Sequence, residues 1–200
     1  MKRRKTNSAR GRPRAFDPGK ALDRAMQVFW RKGFQGTSLS DLTEAMGINP
    51  PSLYATFGNK TALFRTALDR YFKGPSIYAV EALQEPTARK TVERMFRGVI
   101  ELLTNPKTPT TCMWVHGAFS CDDDTLQKEF SAQRAAQWEM LRTRFQRAVA
   151  EGDLPINADV RALASFVQTV ITGMTVQATT GATHEDLLRV TGLALEAWPT

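Results

Sequence analysis

The sequence contains few of the residues on which enzymes and disulfide-rich proteins depend. Among its 200 residues are only 2 cysteines, Cys112 and Cys121, and 2 histidines, His116 and His184. Two cysteines are too few for a disulfide framework. Cys112 and His116 give two metal ligands one helical turn apart, where structural zinc usually takes about four. No glycine-rich phosphate loop and no nucleophile with an evident base is present. We therefore expect no enzyme, no metal and no other cofactor.

The sequence also lacks any long hydrophobic run. No apolar stretch reaches the roughly 18 residues that a membrane helix needs. The amino terminus has the positive charges of a signal peptide, but Asp17 follows directly after Phe16, so no apolar segment comes next. There is no internal repeat and no convincing strand. These absences predict an all-α protein that does not enter the membrane and is cytoplasmic.

Residues 37–59 have the pattern of two short helices joined by a tight turn. Ser38 and Asp41 form a capping-box pattern at the start of the first helix, and Gly47 stands where the chain must turn. Asn49 is a suitable N-cap for the second helix. A helix of two turns is unstable alone, so it must pack on one face and leaves the other for a partner. The pattern is typical of a helix-turn-helix, although an ordinary corner between two helices produces it too.

The distribution of charge favours a DNA-binding function. Residues 1–74 hold 15 basic and 5 acidic side chains, a net charge of +10. Residues 75–200 hold 12 basic and 15 acidic side chains, a net charge of −3. A basic surface beside a helix-turn-helix is expected where a protein faces phosphates. Charge alone does not decide the matter, because a basic end can also serve solubility.

Residues 1–16 have the composition of a flexible basic arm, with seven Lys or Arg residues and no acidic residue. Arg10, Arg12 and Arg14 lie in an Arg-Gly-Arg-Pro-Arg segment. This segment resembles the core of an AT-hook, which fits a narrow A·T minor groove. The alternative is a tail that contacts phosphates without reading sequence. Both interpretations imply binding to nucleic acid.

Helical periodicity continues through the rest of the chain. The interruption at residues 74–75 predicts a boundary between a helix-turn-helix domain, residues 17–74, and a ligand-binding and dimerisation domain, residues 75–200. Outside the helix-turn-helix, the predicted helices span residues 18–32, 60–72, 76–83, 87–104, 111–119, 122–150, 159–179 and 184–198.

Three motifs within residues 18–73 point to one family of proteins. They are Phe-Trp-Arg-Lys-Gly-Phe-Gln-Gly-Thr-Ser at 29–38, Asp-Leu at 41–42 with Ala-Met-Gly-Ile at 45–48, and Ser-Leu-Tyr at 52–54 leading to Phe-Gly-Asn-Lys at 57–60. The last is similar to a Leu-Tyr-x-x-Phe-Gly-x-Lys signature. Through these motifs the segment resembles the DNA-binding domain of TetR/AcrR-family transcriptional regulators. Pro51 departs from the Lys, Gly or Ala that is more usual at its position.

The resemblance implies a homodimer that binds a palindromic double-stranded DNA operator, usually as a repressor. Release of the DNA would follow when an unknown small-molecule effector enters the second domain. Carried over by position, Thr37, Tyr54 and Lys60 would hold phosphates, and Ser38 is a further candidate at a helix start. The positions nearest the base edges would be Asn49, Pro51, Ser52 and Ala55. Because the second helix has no Arg, Lys or Gln, hydroxyls, Asn49 and contacts with thymine methyls would read the bases.

The second domain supplies candidates for a pocket and for a dimer interface. Large side chains with polar neighbours would line the pocket: Phe96, Met113, Trp114, His116, Gln137, Trp138 and Leu141. A second apolar stripe on the helix at 159–179, with the last helix, would form the interface: Phe166, Thr169, Val170, Gly173, Val176, Leu188 and Leu195. A single-chain core explains both sets of residues as well. A thiol sensor at Cys112 competes with the simpler hypothesis of a buried, inert cysteine.

A second class of function is a non-specific or architectural DNA-binding protein that uses the AT-hook-like arm. The discriminating observation is specificity. A repressor prefers one palindrome over random DNA by orders of magnitude at physiological salt.

Deleting residues 1–14 should lower the affinity for DNA strongly, because it removes seven positive charges. The dimer should remain intact, and a gel-shift titration with a sedimentation run measures both properties. Loss of dimerisation would show that the arm belongs to the folded core.

Overall fold

The computed structural model describes residues 16–199, apart from the side chains of residues 119 and 120. Within this range the chain is helical and contains no strand, which confirms the all-α class. No helix in the range is both long and apolar enough to span a bilayer. A 3₁₀ turn, Ala82–Gln84, extends the fifth helix. The helices are α1 (Pro18–Lys32), α2 (Leu39–Met46), α3 (Pro50–Phe57), α4 (Lys60–Lys73), α5 (Tyr78–Glu81), α6 (Ala88–Thr104), α7 (Met113–Ser120), α8 (Asp124–Ala150), α9 (Val160–Thr179) and α10 (His184–Glu196).

The helix-turn-helix forms as its capping residues predict. Ser38 Oγ accepts from the Asp41 amide at 3.0 Å, and the Ser38 amide donates to Asp41 Oδ2 at 2.9 Å, which completes the capping box before α2. Gly47 ends α2 with φ 69° and ψ 35°, a left-handed conformation that glycine adopts without strain. Asn49 Oδ1 then accepts from the Ser52 amide at 2.9 Å and caps α3.

Helices α1 to α4 enclose the first of two hydrophobic cores. α1 packs against both α2 and α4. Leu42 of α2 and Leu53 of α3 are fully buried in this core. Aromatic rings fill its centre, with the Phe29 and Phe64 centroids 5.0 Å apart in an edge-to-face arrangement. α2 and α3 are therefore held from behind by α1 and α4.

The second core lies around α6, which packs against α8, α9 and α10. Its largest buried side chains include Phe96, Ile100 and Phe145. The Phe145 ring meets the Trp198 ring at a centroid distance of 5.3 Å, which fixes the end of the chain against α8.

α7 and the start of α8 extend the first core, because they lie against α1 and α4. The Trp30 indole N–H donates to the Thr111 carbonyl at 2.6 Å. The Phe64 and Phe130 rings lie 6.1 Å apart, and Met113 and Leu126 belong to the first core rather than the second. α4 ends at Lys73 and Gly74 follows it, where the sequence predicts a domain boundary. That boundary stays a prediction, because side chains from both segments share the first core.

Candidate nucleic-acid interface and internal cavity

The outward face of α3 is open to solvent. Tyr54 is 49% exposed, and Asn49, Pro51 and Ala55 are also exposed, while Ser52 is half-buried. Leu53 points the opposite way into the core. The five residues that the sequence placed near bases or phosphates on this helix therefore share one accessible surface. Their contacts with DNA stay predictions.

Thr37 and Ser38, the two predicted DNA-binding residues before α2, already use their hydroxyl groups in hydrogen bonds within the protein. Thr37 is 1% exposed, and its hydroxyl donates to the Gly33 carbonyl at 2.6 Å. That geometry speaks against a phosphate contact by the Thr37 side chain, because its only proton is already donated. Ser38 is exposed, but its hydroxyl donates to Asp41 Oδ2 at 2.8 Å within the capping box.

Asp41 is held in its charged form. Lys32 Nζ lies 2.5 Å from Asp41 Oδ1, and the Ser38 amide donates to the other carboxylate oxygen. These two contacts hold the pKa of Asp41 well below its ordinary value, the Lys32 hydrogen bond having the larger effect. A negative charge at the start of α2 also suits the helix dipole.

Lys60 stands at the start of α4, close to the end of α3. Asn59 caps α4 by accepting from the Ala62 amide at 2.8 Å. The Lys60 ammonium lies 4.4 Å from the centroid of the Phe34 ring, and partial burial lowers its pKa. Lys60 therefore has a packing role in this structure, and the predicted phosphate contact has to be tested against it.

The sequence offered no sign of a basic residue beside the turn of the helix-turn-helix. Arg24 of α1 is exposed, and its Nη1 lies 3.5 Å from where a Cβ on Gly47 would be. It has no ion pair among the described residues. Because Arg24 and Gly47 are far apart in the chain, only the packing of α1 on α2 reveals this neighbour. Arg10, Arg12 and Arg14 lie outside the described residues.

A cavity of about 400 Å³ lies between helices α4 to α9. Three residues that the sequence predicted for a pocket, Trp114, Gln137 and Leu141, line it. Four predicted residues lie elsewhere because other contacts hold their side chains. The buried side chains of Phe96 and Met113 belong to the two cores.

The remaining two predicted pocket residues have their own partners. His116 lies 3.5 Å from the Trp30 carbonyl and lines a different cleft, beside Arg31. Trp138 donates to Ser165 Oγ at 3.0 Å, and Arg161 lies over its ring. These positions explain why a pattern of large side chains did not locate the cavity.

Cys112 also lines the cavity, which bears on the hypothesis of a thiol sensor. The Tyr71 hydroxyl donates to Cys112 Sγ at 3.2 Å. Burial raises the pKa of the Cys112 thiol, so little of the reactive thiolate exists at neutral pH. This environment favours an inert cysteine.

The outer surface of α9 and α10 exposes apolar side chains. Val176 is 50% exposed, Leu188 is 48% exposed, and Phe166, Thr169 and Gly173 are exposed beside them. Val170 and Leu195 are partly buried. The chain therefore presents most of the predicted interface residues to solvent, while their contact with a second subunit stays a prediction.

Known proteins are similar to this chain both in the helix-turn-helix segment and over nearly its whole length. Residues 21–67 match the family model of bacterial regulatory proteins, tetR family. The HTH-type transcriptional repressor ComR of Escherichia coli strain K12 is 35% identical over 195 residues, covering 96% of this chain and 93% of ComR. The chain belongs to the TetR family. The repressor BdcR of the same strain is 31% identical over 206 residues, covering 100% of this chain and 98% of BdcR.

A solved TetR-family structure supports the same assignment. A cysteine mutant of the regulator CifR, in complex with 26-bp double-strand operator DNA, is 42% identical, with a TM-score of 0.89. The match covers 94% of this chain and 100% of the CifR chain. TetR-family proteins are DNA-binding transcription factors, which confirms that the chain is a regulator with an amino-terminal helix-turn-helix and not an enzyme. Dimers and responses to ligands are typical of the family.

Replacing Lys60 with Ala should weaken binding to all DNA sequences alike. It should also lower the slope of log affinity against log salt concentration by about one, because one phosphate contact is lost. Titrations at several salt concentrations measure the slope. Lys73→Ala is the matched control, since it removes a charge from the other end of α4, where Lys73 pairs with Asp69 at 2.8 Å. An unchanged slope with a lower melting temperature would show that Lys60 only packs on Phe34.

Proposed function

We propose that this protein is a repressor that binds a palindromic operator as a homodimer and releases it when a small molecule occupies the cavity beside α4. The observation that carries the proposal is the face of α3, which is exposed on one side and anchored by the buried Leu53 on the other. A helix held in this way presents its side chains to the major groove.

The relatives support repression of transcription. ComR and BdcR are named as transcriptional repressors, and CifR was solved with operator DNA. The α3 surface carries hydroxyl, amide and apolar groups but no Arg or Lys, so each base contact is weaker than a bidentate one. Specific binding then needs several such contacts in two half-sites, which a homodimer supplies. A DNA-binding role also implies that the protein works in the cytoplasm, where bacterial DNA is.

The surface of α9 and α10 supports the homodimer. Val176, Leu188 and Leu193 are each roughly half exposed or more, at 50%, 48% and 68%. Exposed apolar side chains grouped on neighbouring helices are typical of a buried contact in an assembly. Two such helices from each subunit would form a four-helix interface around a two-fold axis.

Helix α4 supports the coupling of ligand and DNA. Its first residue, Lys60, directly follows the segment after α3, and Phe64 packs in the core behind α3. Asp69, Phe72 and Lys73 at its other end line the cavity. A ligand that prefers a shifted α4 would change the spacing of the two α3 helices in the dimer. That spacing must match about one helical turn of DNA, roughly 34 Å.

Selection of bound DNA from a random pool tests the proposal most directly. We expect enrichment of one palindrome, bound by one or more dimers at physiological salt. Recovery of A·T-rich DNA without a palindrome would favour instead the non-specific or architectural protein that uses the basic arm. A second selection with the protein lacking residues 1–14 separates the contribution of the arm from that of α3.

Val176→Glu should convert the dimer to a monomer. Around a two-fold axis the new carboxylates of both subunits would enter the same apolar contact, and we expect the dissociation constant of the dimer to rise at least about a hundredfold. Sedimentation equilibrium measures this constant. Ala135→Glu is the control, because it places the same charge on the exposed surface of α8. A Val176→Glu protein that remains dimeric would place the interface elsewhere.

A further inference from the structure

The walls of the cavity beside α4 define the chemistry of its ligand. Aromatic side chains from three helices face it: Phe72 of α4, Tyr78 of α5 and Trp114 of α7. Aliphatic side chains, among them Leu141 and Ile171, close it from α8 and α9. A volume of about 400 Å³ lies within the range of roughly 300–1,000 Å³ that small-molecule sites show. Walls of this kind fit a flat aromatic group.

The cavity is already formed in this structure. Gly98 of α6 lies against Tyr78, and a Cβ on Gly98 would overlap the Tyr78 ring. α5 therefore sits close to α6, and the Tyr78 ring has a fixed place on the wall. A preformed apolar site does not have to be ordered by its ligand, which favours binding.

The charged side chains that line the cavity are not available to bind a charged ligand. Among the described residues that line the cavity, the charged ones are Asp69 and Lys73. They pair with each other at 2.8 Å, and their side chains are 60% and 73% exposed, so they stand at the mouth. An anion or a cation that entered the cavity would lose its hydration without gaining an opposite charge. These walls therefore favour an uncharged ligand.

Neutral polar groups stand in two rows that face the cavity. Gln133 and Gln137 lie one turn apart on α8, and Gln168 and Thr172 lie one turn apart on α9. Neither Gln133 nor Gln137 has a side-chain hydrogen bond within the described part of the chain. Each side-chain amide offers two donors and one acceptor, which matches the pattern of another amide.

Trp114, which also lines the cavity, carries a donor that does not reach the cavity surface. Its indole N–H is buried and has no hydrogen-bond partner within residues 16–199. An unsatisfied buried donor of this kind is unfavourable, but the walls as they stand do not present it to a ligand. The side-chain amides of Gln133 and Gln137 on this otherwise apolar cavity therefore point to a ligand oxygen of the carbonyl type.

We propose that the effector of this protein is an uncharged aromatic molecule with a carbonyl or carboxamide group, bound between Phe72, Tyr78 and Trp114 with its polar group on Gln137. The proposal rests on the proposed function, since it names the ligand class of that same cavity. It excludes carboxylates, phosphates and amines as the natural effector.

Three probes with one ring system and different charges test the proposal: 2-naphthamide, 2-naphthoate and 2-naphthylmethylammonium. Calorimetric titration of the full chain at pH 7, without DNA, measures their affinities. We expect 2-naphthamide to bind and both charged probes to bind at least about tenfold more weakly, because their hydration is lost without compensation. Equal or tighter binding of a charged probe, or no binding of any probe, would overturn the proposal.

Variants of Gln137 locate the polar group. Gln137→Leu should weaken binding of 2-naphthamide about tenfold through the loss of a hydrogen bond, whereas Gln146→Leu, on the exposed side of α8, should leave it unchanged. Gln137→Glu should reverse the order and favour 2-naphthylmethylammonium, which a purely structural role of Gln137 would not do. Equal effects of the Gln137 and Gln146 changes would contradict the assignment. Because these titrations contain no DNA, their failure is distinguishable from a failure of the operator selection.

Discussion

The position of the exposed surface of α3 depends on the burial of Leu53, on the opposite face of the same helix. An eight-residue helix is unstable in water by itself, and α3 begins with two prolines, so its stability comes from packing. Leu53 provides that packing, because it is fully buried in the core of α1, α2 and α4. Losing such a leucine typically costs about 2–5 kcal/mol, against a total stability of about 5–15 kcal/mol for a domain. The fold therefore tolerates substitutions on the exposed face of α3 better than substitutions of Leu53.

Helix α4 contributes side chains both to the core behind α3 and to the wall of the cavity. Phe64 and Tyr71 lie in the core behind α3, while Phe72 turns to the cavity. Arg65 of α4 makes a bidentate pair with Glu129 of α8, at 2.9 Å and 2.6 Å. Both side chains are 45% exposed, and exposed pairs contribute about 0–1 kcal/mol, so the Phe64–Phe130 contact holds the junction more firmly. Apolar packing therefore contributes more than this ion pair to the contact between α4 and α8.

Capping patterns in the sequence predicted where most helices begin, but the pattern of large side chains predicted only three of the residues that line the cavity. Ser38, Asn49 and Thr87 cap their helices as expected, since an N-cap depends on residues three positions away. The last helix ends at Glu196, two residues before the predicted Trp198, which instead packs on Phe145. The cavity depends on which faces of six helices meet, and the hydrophobic period of one helix does not predict how its faces pack against the others. Phe96 and Trp114 have similar character in the sequence, yet packing buries one in a core and places the other on the cavity wall.

Under the proposed coupling, a ligand at this site acts on DNA only through the difference in its affinity for two positions of α4. A molecule that binds both positions equally well shifts nothing, however tight its binding. Phe72 belongs to α4, whereas Tyr78 is fixed against Gly98 of α6. Under the proposed coupling, a movement of α4 therefore shifts Phe72 relative to Tyr78, and a flat ring that contacts both would respond to that shift. A difference of about 1–3 kcal/mol, or roughly 5–150-fold in affinity, is sufficient for allosteric control. An exposed ion pair such as Asp69–Lys73 contributes about 0–1 kcal/mol, so the apolar contacts of the ligand with Phe72 would have to supply most of this difference.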